Sequence, residues 1–219
     1  MKLVDSWYWP EHEAHMIDWI TEPKNRVILN DRPAYQGKKQ LAVLKLFRDR
    51  ARPLTMVDAG AHIGLWSYNF AKADFVVFAF EPVADHRECW RKNMAGIEAA
   101  TLYPYALGER ADMVNIRVNP TSTGDSWVKG KGEVEMRTID SMEAPNVDFI
   151  KVDAEGYEEF ILRGAENTIR SDRPVICVEQ KRDMATKFGL KPQGAVEWLK
   201  KLGYRVHKEI GGDYIMVPA

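Results

Sequence analysis

The chain has 219 residues, enough for one domain of ordinary size, and 45% of them are hydrophobic, so it can bury a substantial core. Its 31 basic residues are balanced by 32 acidic ones, whereas proteins that grip a phosphate backbone usually carry a basic excess. We therefore expect no nucleic-acid partner. No segment approaches the ~18 apolar residues that a membrane span requires, and no continuous apolar signal region opens the chain, which predicts a cytoplasmic protein.

Residues 1–53 differ in character from the rest, and we expect them to form an extension with helical content that packs on the core. Gln40–Arg50 has the spacing of an amphipathic helix. The aromatic residues near the start are Trp7, Tyr8, Trp9 and Trp19. They are expected either to cap one edge of a sheet or to form a lid or sugar platform over a site. Trp7 and Trp9, if exposed, would suit a homodimer contact.

Residues 54–219 alternate short apolar runs with longer amphipathic stretches, which predicts one α/β domain with a doubly wound, mainly parallel, Rossmann-like sheet. The predicted strands are Thr55–Asp58, Phe75–Phe80, Leu102–Ala106, Val147–Val152, Val175–Val178, Arg205–Lys208 and Tyr214–Val217. The predicted helices are Ile63–Lys72, Ala84–Met94, Glu158–Leu162 and Ala195–Leu202. Gly211-Gly212-Asp213 predicts a hairpin and hence an antiparallel last strand. Met113–Val118 and Glu133–Arg137 alternate like a two-stranded ribbon around a loop over Asn119–Gly132.

Ligands of open parallel sheets bind beyond the carboxyl ends of the strands, so the residues at those ends are the first candidates. The first strand is followed by Asp58-Ala59-Gly60-Ala61-His62-Ile63-Gly64. Gly60 and Gly64 allow a tight turn and a close approach of the backbone to a ligand. Glu81 stands at the end of the second strand, where a carboxylate can accept hydrogen bonds from both ribose hydroxyls of an adenosine.

A nicotinamide dinucleotide also binds through a glycine turn and a ribose-binding acid, so it is an alternative cofactor. Its G-x-G-x-x-G pattern lacks the middle glycine here. In addition, Asp58 directly precedes the turn, where its charge would repel a pyrophosphate but suit the sulfonium and ammonium groups of S-adenosylmethionine. The loop therefore favours S-adenosylmethionine, and a nicotinamide-dependent oxidoreductase stays as the less favoured alternative.

Charged residues follow the fourth predicted strand. Lys151, Asp153 and Glu155 alternate, so they would share one face if the strand geometry persists, and Glu179 ends the next strand beside them. In one mechanism Asp153 or Glu179 takes a proton from a substrate hydroxyl while Lys151 fixes the carboxylate. In another, Asp153, Glu155 and Glu179 bind a divalent cation that lowers the pKa of the hydroxyl. The plainer alternative is an ion-pair network around Lys151 that only secures the strand end.

Five motifs occur in order: Val57-Asp58-Ala59-Gly60-Ala61-His62-Ile63-Gly64, Phe80-Glu81-Pro82, Ala106-Leu107-Gly108, Arg137-Thr138-Ile139-Asp140, and Phe149-Ile150-Lys151-Val152-Asp153-Ala154-Glu155-Gly156-Tyr157-Glu158. This set resembles the FkbM-type methyltransferase family, over roughly Thr55 to Lys181. The resemblance implies a class I methyltransferase fold, S-adenosylmethionine as cofactor, and methylation of a hydroxyl on a sugar or natural product. The family usually has Asn where this chain has His62, which leaves the role of His62 open.

The resemblance also implies roles for individual residues. Asp58, Gly60 and Gly64 would line the methionine side of the cofactor, Glu81 would hold its ribose, and the Tyr105 region would lie beside the adenine. The full set of cofactor residues expected on this basis is Asp58, Gly60, Ala61, His62, Gly64, Glu81, Pro82, Tyr105 and Ala106. Residues 124–126 match a loop near the substrate mouth, although a plain hairpin loop is the commoner explanation for such a composition.

The predicted function is O-methylation of a hydroxyl on a sugar, glycan or secondary metabolite by an enzyme that depends on S-adenosylmethionine. Methylation of a nucleic-acid amino group is disfavoured because the fourth strand ends in Asp153-Ala154-Glu155-Gly156 instead of an Asp/Asn-Pro-Pro-aromatic box. A binding module that retains the cofactor fold without catalysis is the main alternative, since fold alone never fixes function.

Overall fold

The computed structural model describes residues 1–50, 53–119, 122–142, 144, 146–181 and 183–219. Residues 51 and 52 of the predicted extension, and 120 and 121 of the predicted loop, lie outside this part. The strands are β1 Lys2–Val4, β2 Trp7–Trp9, β3 Ile28–Leu29, β4 Arg32–Pro33, β5 Leu54–Ala59, β6 Phe75–Phe80, β7 Ala100–Tyr103, β8 Ala106–Leu107, β9 Asp112–Arg117, β10 Trp127–Lys131, β11 Val134–Arg137, β12 Val147–Val152, β13 Val175–Glu179, β14 Tyr204–Ile210 and β15 Asp213–Pro218. The α-helices are α1 His15–Thr21, α2 Gly37–Leu44, α3 Leu65–Ala71, α4 Ala84–Asn93, α5 Glu158–Arg163, α6 Glu166–Asp172 and α7 Gly194–Lys201. None of the helices described is long and apolar enough to span a membrane.

A seven-stranded sheet runs through the centre in the order β14-β15-β13-β12-β5-β6-β7. The five strands from β13 to β7 are parallel, and the final hairpin adds β15 and β14 in antiparallel orientation. The predicted Rossmann-like sheet with an antiparallel last strand is therefore confirmed. The chain first builds outward from β5 to β7 and later returns to the other side of β5, so the topological switch point lies between β5 and β12.

The register of the parallel strands brings the candidate residues to one edge of the sheet. Asp58 on β5 is the partner of Lys151 on β12, and Lys151 is in turn opposite Cys177 on β13. On the other side of β5, Ala59 is opposite Phe80 at the end of β6. The loops that follow β5, β6, β12 and β13 consequently leave the sheet side by side.

Two hydrophobic cores cover the two faces of this sheet. Every residue of β5 and β12 is buried, as is typical of central parallel strands, and successive side chains point to opposite faces. Phe149 packs on one face in a stack with Phe70, with ring centroids 5.0 Å apart. Ile150 packs on the other face with Leu162 and Leu199. The glycine turn and the acidic residues are thus mounted on the most deeply buried part of the fold.

The N-terminal segment belongs to the first of these cores. Trp7 and Trp9 have no exposed surface, and the Trp7 indole donates to the Pro33 carbonyl at 2.8 Å and meets the Tyr68 ring edge-on. The expectation that Trp7 and Trp9 are exposed and suit a homodimer contact is wrong. They form a strand, and its alternation turns both indoles inward while Tyr8 between them faces solvent.

Two local predictions need correction. The amphipathic helix expected over Gln40–Arg50 begins earlier, at Gly37, and tightens into a 3₁₀ turn over Lys45–Phe47. The expected two-stranded ribbon is a four-stranded sheet in the order β10-β9-β11-β8. Two strands are added to the predicted pair. One is β8, at the end of the predicted strand Leu102–Ala106. The other, Trp127–Lys131, was missed because its second half is Lys129-Gly130-Lys131, which shows no apolar alternation.

We expect Trp7→Ala to lower the free energy of unfolding by about 3–5 kcal/mol, because it removes a fully buried indole and its hydrogen bond to Pro33. Tyr8→Ala is the matched control, since Tyr8 is 36% exposed on the opposite face of the same strand. Denaturant unfolding of both variants measures the difference. Equal, small losses would mean that the N-terminal segment is not part of the core.

Candidate active site

The turn after β5 packs closely against neighbouring groups at its two glycines. Gly60 has a φ of +77°, and a Cβ at this position would collide with the carbonyl oxygen of Asp153. Gly64 has a φ of +93°, and a Cβ there would lie 2.9 Å from the Trp90 ring. Only glycine meets both demands without strain. The backbone amides of Gly60 and Ala61 donate to the Phe80 carbonyl at 3.1 and 3.0 Å, which ties the turn to the end of β6.

Lys151 lies beneath this turn. Its ammonium donates to the Gly60 carbonyl at 2.7 Å and lies 3.4 Å from Asp58 Oδ1 and 4.0 Å from Asp153 Oδ2. Burial alone would lower the pKa of Lys151, but the carboxylates of Asp58 and Asp153 raise it above its ordinary value. The ammonium therefore stays charged. Asp58 is fully buried and also accepts from Ser67 at 2.6 Å, so it acts on the cleft through Lys151.

Three carboxylates meet at the ends of β12 and β13. One oxygen of each of Asp153, Glu155 and Glu179 lies within 4.8 Å of the others. Strand alternation does not bring them together, because β12 ends at Val152 and Glu155 has a left-handed φ of 52°. The expectation that the strand geometry persists is wrong, yet the three side chains still converge.

Glu158 supports this turn from below. Its Oε1 accepts hydrogen bonds from the backbone amides of Ala154 and Gly156 at 3.0 and 2.9 Å, and the residue is 1% exposed. Burial raises the pKa of Glu158 to about 7 despite these bonds. It lines neither compartment of the cleft described below, so its contacts are those of a residue that shapes the Asp153–Glu155 loop.

The three carboxylates differ in their affinity for protons. Burial, followed by the charges of Asp153 and Asp125, raises the pKa of Glu155 to about 8. Burial and the charge of Asp153 also raise the pKa of Glu179. Burial would do the same to Asp153, but Lys151 and Lys181 together lower the pKa of Asp153. The group thus combines one carboxylate whose pKa is lowered with two whose pKa values are raised.

The cleft above these residues has two compartments. The smaller is lined by predicted cofactor residues, namely Gly60, His62, Glu81, Pro82, Tyr105 and Ala106. The larger, about 670 Å³, is lined by Ala61 and by all four candidate catalytic and metal residues, Lys151, Asp153, Glu155 and Glu179. Gly60, His62 and Asp153 border both. Of the predicted cofactor residues, Asp58 and Gly64 line neither compartment.

Glu81 is 4% exposed and is already held by protein donors. Its Oε2 accepts from the His62 amide at 2.8 Å, and its Oε1 accepts from the Val83 amide at 2.8 Å and lies 3.2 Å from His86 Nδ1. Burial would raise the pKa of Glu81, but His86 and the two backbone amides outweigh it and lower that pKa. Glu81 is therefore an ionised acceptor whose position is fixed from three sides.

Sequence reasoning missed three residues that shape the cleft: Glu13, Thr123 and His86. Glu13 has no exposed surface, and its Oε2 accepts from the amide and hydroxyl of Thr123 at 2.6 and 2.5 Å. The Thr123 hydroxyl also lies 2.8 Å from His62 Nε2. The N-terminal segment thus holds the 122–126 loop against the glycine turn. No local pattern marks Glu13, because its partner is 110 residues away.

Known proteins are similar to this chain over part of its length. The profile of the methyltransferase FkbM domain matches residues 58–206. Hexuronic acid methyltransferase AglP of Haloferax volcanii is 29% identical over 128 residues, which cover 54% of this chain and 53% of that protein. The chain thus aligns with about half the length of this relative.

Solved structures are similar in fold. Precorrin-6y C5,15-methyltransferase from Geobacter metallireducens GS-15 superposes with a TM-score of 0.50 at 18% identity, covering 82% of this chain and 86% of that one. Methyltransferase FkbM from Methylobacillus flagellatus KT gives a TM-score of 0.49 at 19% identity and covers 78% of this chain and 45% of that one.

The sheet order, with its switch point at β5, and the glycine turn above it define a class I methyltransferase fold of the kind that uses S-adenosylmethionine. The chain belongs to the FkbM methyltransferase domain family, whose profile matches more than half of its residues. The resemblance carried by the five sequence motifs is therefore confirmed. The family and the fold together imply S-adenosylmethionine as the cofactor.

The raised pKa of Glu155 makes a prediction about stability. A carboxyl whose pKa rises from 4.5 to about 8 on folding stabilises the fold fully below its unfolded pKa, and this contribution is lost as pH rises through about 8. We therefore expect Glu155→Gln to raise the melting temperature relative to the natural chain, by a margin that grows as the pH rises from 4.5 to about 8. Glu133→Gln, at an exposed position, should show no such trend. A margin for Glu155→Gln that is independent of pH would contradict the assignment.

Proposed function

We propose that this protein transfers the methyl group of S-adenosylmethionine to a hydroxyl group of a sugar-containing acceptor. The observation that carries the proposal is the single cleft in which Asp153 borders both the compartment lined by Glu81 and the larger one lined by carboxylates. A methyl donor and an acceptor hydroxyl held in these two spaces would meet beside Asp153. The hexuronic acid named for the Haloferax relative supports a sugar as the acceptor.

The residues of the smaller compartment fit the cofactor. Gly60 lacks the Cβ that would fill the turn, and buried imidazole nitrogens of His62 and His86 have no partner among the described residues. Glu81 and these nitrogens would face the ribose, and Tyr105 and Ala106 would face the adenine.

When bound, S-adenosylmethionine supplies a methyl carbon made electrophilic by its sulfonium. The protein supplies position and a base, because an alcohol is a poor nucleophile until its proton is being removed. Asp153 is the base we favour, since it is ionised and borders both compartments. Lys151 holds it in place, and Glu179 is the second candidate to receive the proton.

A divalent cation is a second way to activate the hydroxyl. The three carboxylates offer the oxygen ligands that Mg²⁺ and Mn²⁺ prefer, within 4.8 Å of one another. A cation there would lower the pKa of a bound hydroxyl and would have to displace Lys181, whose ammonium pairs with Glu179. Loss of turnover with a chelator, restored by Mg²⁺ or Mn²⁺, would support this route, and full turnover in the chelator would leave Asp153 as the base.

We expect Asp153→Asn to bind S-adenosylhomocysteine like the natural chain but to lose at least about 100-fold in turnover, because an amide cannot accept the proton. Asp18→Asn is the matched control, since Asp18 is exposed on α1 outside the cleft. Calorimetry measures binding, and transfer of a labelled methyl group measures turnover. Full turnover by Asp153→Asn would exclude Asp153 both as the base and as an essential cation ligand.

The acceptor itself is found by incubating the protein with methyl-labelled S-adenosylmethionine and a panel of uronic acids, neutral hexoses and their glycosides. We expect label in a methyl ether of a sugar, identified by mass spectrometry after hydrolysis. Label that appears only on amines or carbons of other acceptors would overturn the O-directed proposal. Binding of the cofactor product without transfer to any acceptor would favour the silent binding module.

A further inference from the structure

Two buried imidazole nitrogens lie unused in the smaller compartment. His62 Nδ1 and His86 Nε2 have no hydrogen-bond partner among the described residues, and both side chains line this compartment beside Glu81. Their rings meet edge-on with centroids 4.3 Å apart. Buried polar atoms in native proteins are nearly always satisfied, so an orphaned pair calls for a partner.

The hydrogen bonds around His62 determine whether its free nitrogen is a donor or an acceptor. The Thr123 hydroxyl donates its hydrogen to Glu13 at 2.5 Å, so it can only accept from His62 Nε2. Burial, with the charges of His86 and Lys151, lowers the pKa of His62 well below its ordinary value. The His62 ring is thus neutral with its hydrogen on Nε2, and Nδ1 carries a free lone pair.

The same reasoning applies to His86. Its Nδ1 lies 3.2 Å from the ionised Glu81 carboxylate, which only accepts, so Nδ1 carries a hydrogen. The remaining nitrogen, Nε2, has no partner among the described residues. The compartment therefore presents the lone pair of His62 Nδ1, which a donor group of a ligand can satisfy, and the unpartnered His86 Nε2 beside it.

Glu81 cannot satisfy both hydroxyls of a ribose alone. A carboxylate has about four acceptor positions, and Oε1 already faces two donors, the Val83 amide and His86 Nδ1. Oε2 accepts from the His62 amide, which leaves one position on this oxygen. A ribose brings two hydroxyl donors, so one of them needs an acceptor other than Glu81.

We propose that His62 and His86 form the second half of the ribose-binding site, in which one cofactor hydroxyl donates to Glu81 Oε2 and the other forms a hydrogen bond with an unpartnered imidazole nitrogen of this histidine pair. The inference rests on the proposed function, because the ligand is the ribose of S-adenosylmethionine. His86 would then contribute to cofactor selection together with Glu81. His62 would connect the ribose, through Nδ1, with the loop around Thr123, through Nε2.

Two variants each remove one of the unpartnered nitrogens and keep the hydrogen bond made by the other ring nitrogen. His86→Asn retains an amide donor where Nδ1 meets Glu81 and loses Nε2. His62→Gln retains a donor where Nε2 meets Thr123 and loses Nδ1, and the left-handed backbone at His62 resembles that of Gln36 in this same chain. Circular dichroism and the melting temperature establish that each variant is folded before binding is measured.

The test is calorimetric titration of the natural chain and both variants with S-adenosylhomocysteine and with its 2′-deoxy and 3′-deoxy analogues. We expect at least one variant to bind S-adenosylhomocysteine about 3- to 10-fold more weakly, which is the usual value of a hydrogen bond. That variant should bind one of the two deoxy analogues as tightly as it binds S-adenosylhomocysteine. The natural chain should bind the same analogue about 3- to 10-fold more weakly than S-adenosylhomocysteine. If every variant loses as much with each analogue as the natural chain does, the histidines do not contact the ribose and the proposal is overturned.

A measurement on the natural chain tests the same contact between the histidines and the ribose. In the natural chain labelled with ¹⁵N in its histidine rings, S-adenosylhomocysteine should shift an imidazole nitrogen resonance that one deoxy analogue leaves in place. Identical shifts with all three ligands would overturn the inference. Complete absence of S-adenosylhomocysteine binding would instead overturn the proposed function itself, so the two failures are distinguishable.

Discussion

Lys151 extends from β12 into the turn after β5, where its ammonium donates to the Gly60 carbonyl and lies within 4.0 Å of the Asp58 and Asp153 carboxylates. Lys151 and Asp58 are withdrawn from water, so removal of one leaves the charge of the other unpaired. Removing the ammonium would leave Asp58 buried without its counter-charge, at a cost of about 3–5 kcal/mol for a broken buried pair. The glycine turn, the strand ends and the Asp153 carboxylate are thus held by one cation.

The rest of the cleft follows from this anchor. Because Lys151 keeps Asp153 ionised, the neighbouring Glu155 and Glu179 take the protonated form more readily. On the other side of Asp153, Glu81 is held by donors from its own turn and from the glycine turn. Asp153 is thus held by lysine ammonium groups and Glu81 by His86 and backbone amides, and both carboxylates face the cleft. Under the proposed function, Asp153 would face the reacting groups and Glu81 would face the nucleoside.

Much of the fold could be predicted from the sequence because its central strands are continuous apolar runs bounded by turn residues. The limits predicted for Phe75–Phe80 and Val147–Val152 agree with the structure. The proximity of Asp153 and Glu179 could be predicted too, since the carboxyl ends of parallel strands lie at one edge of a sheet. These predictions needed only local pattern and topology.

Other features depend on tertiary contacts that no local pattern records. Trp7 and Trp9 lie in a short strand whose inward direction is decided by Tyr68 and Pro33, far along the chain. Glu13 finds Thr123 across 110 residues. His86 lies in a polar helix, and its place beside Glu81 becomes visible only when the turn between them is known. The buried polar residues that hold the walls of the cleft in place therefore could not be predicted from the sequence.

The most direct test of the central claim, that this cleft holds S-adenosylmethionine, is a competition between nucleosides. Folded natural chain is titrated by calorimetry with S-adenosylhomocysteine, and separately with NAD. The account predicts micromolar binding of S-adenosylhomocysteine with a stoichiometry of one and no measurable binding of NAD. Binding of NAD alone, or of neither ligand by folded protein, would contradict it.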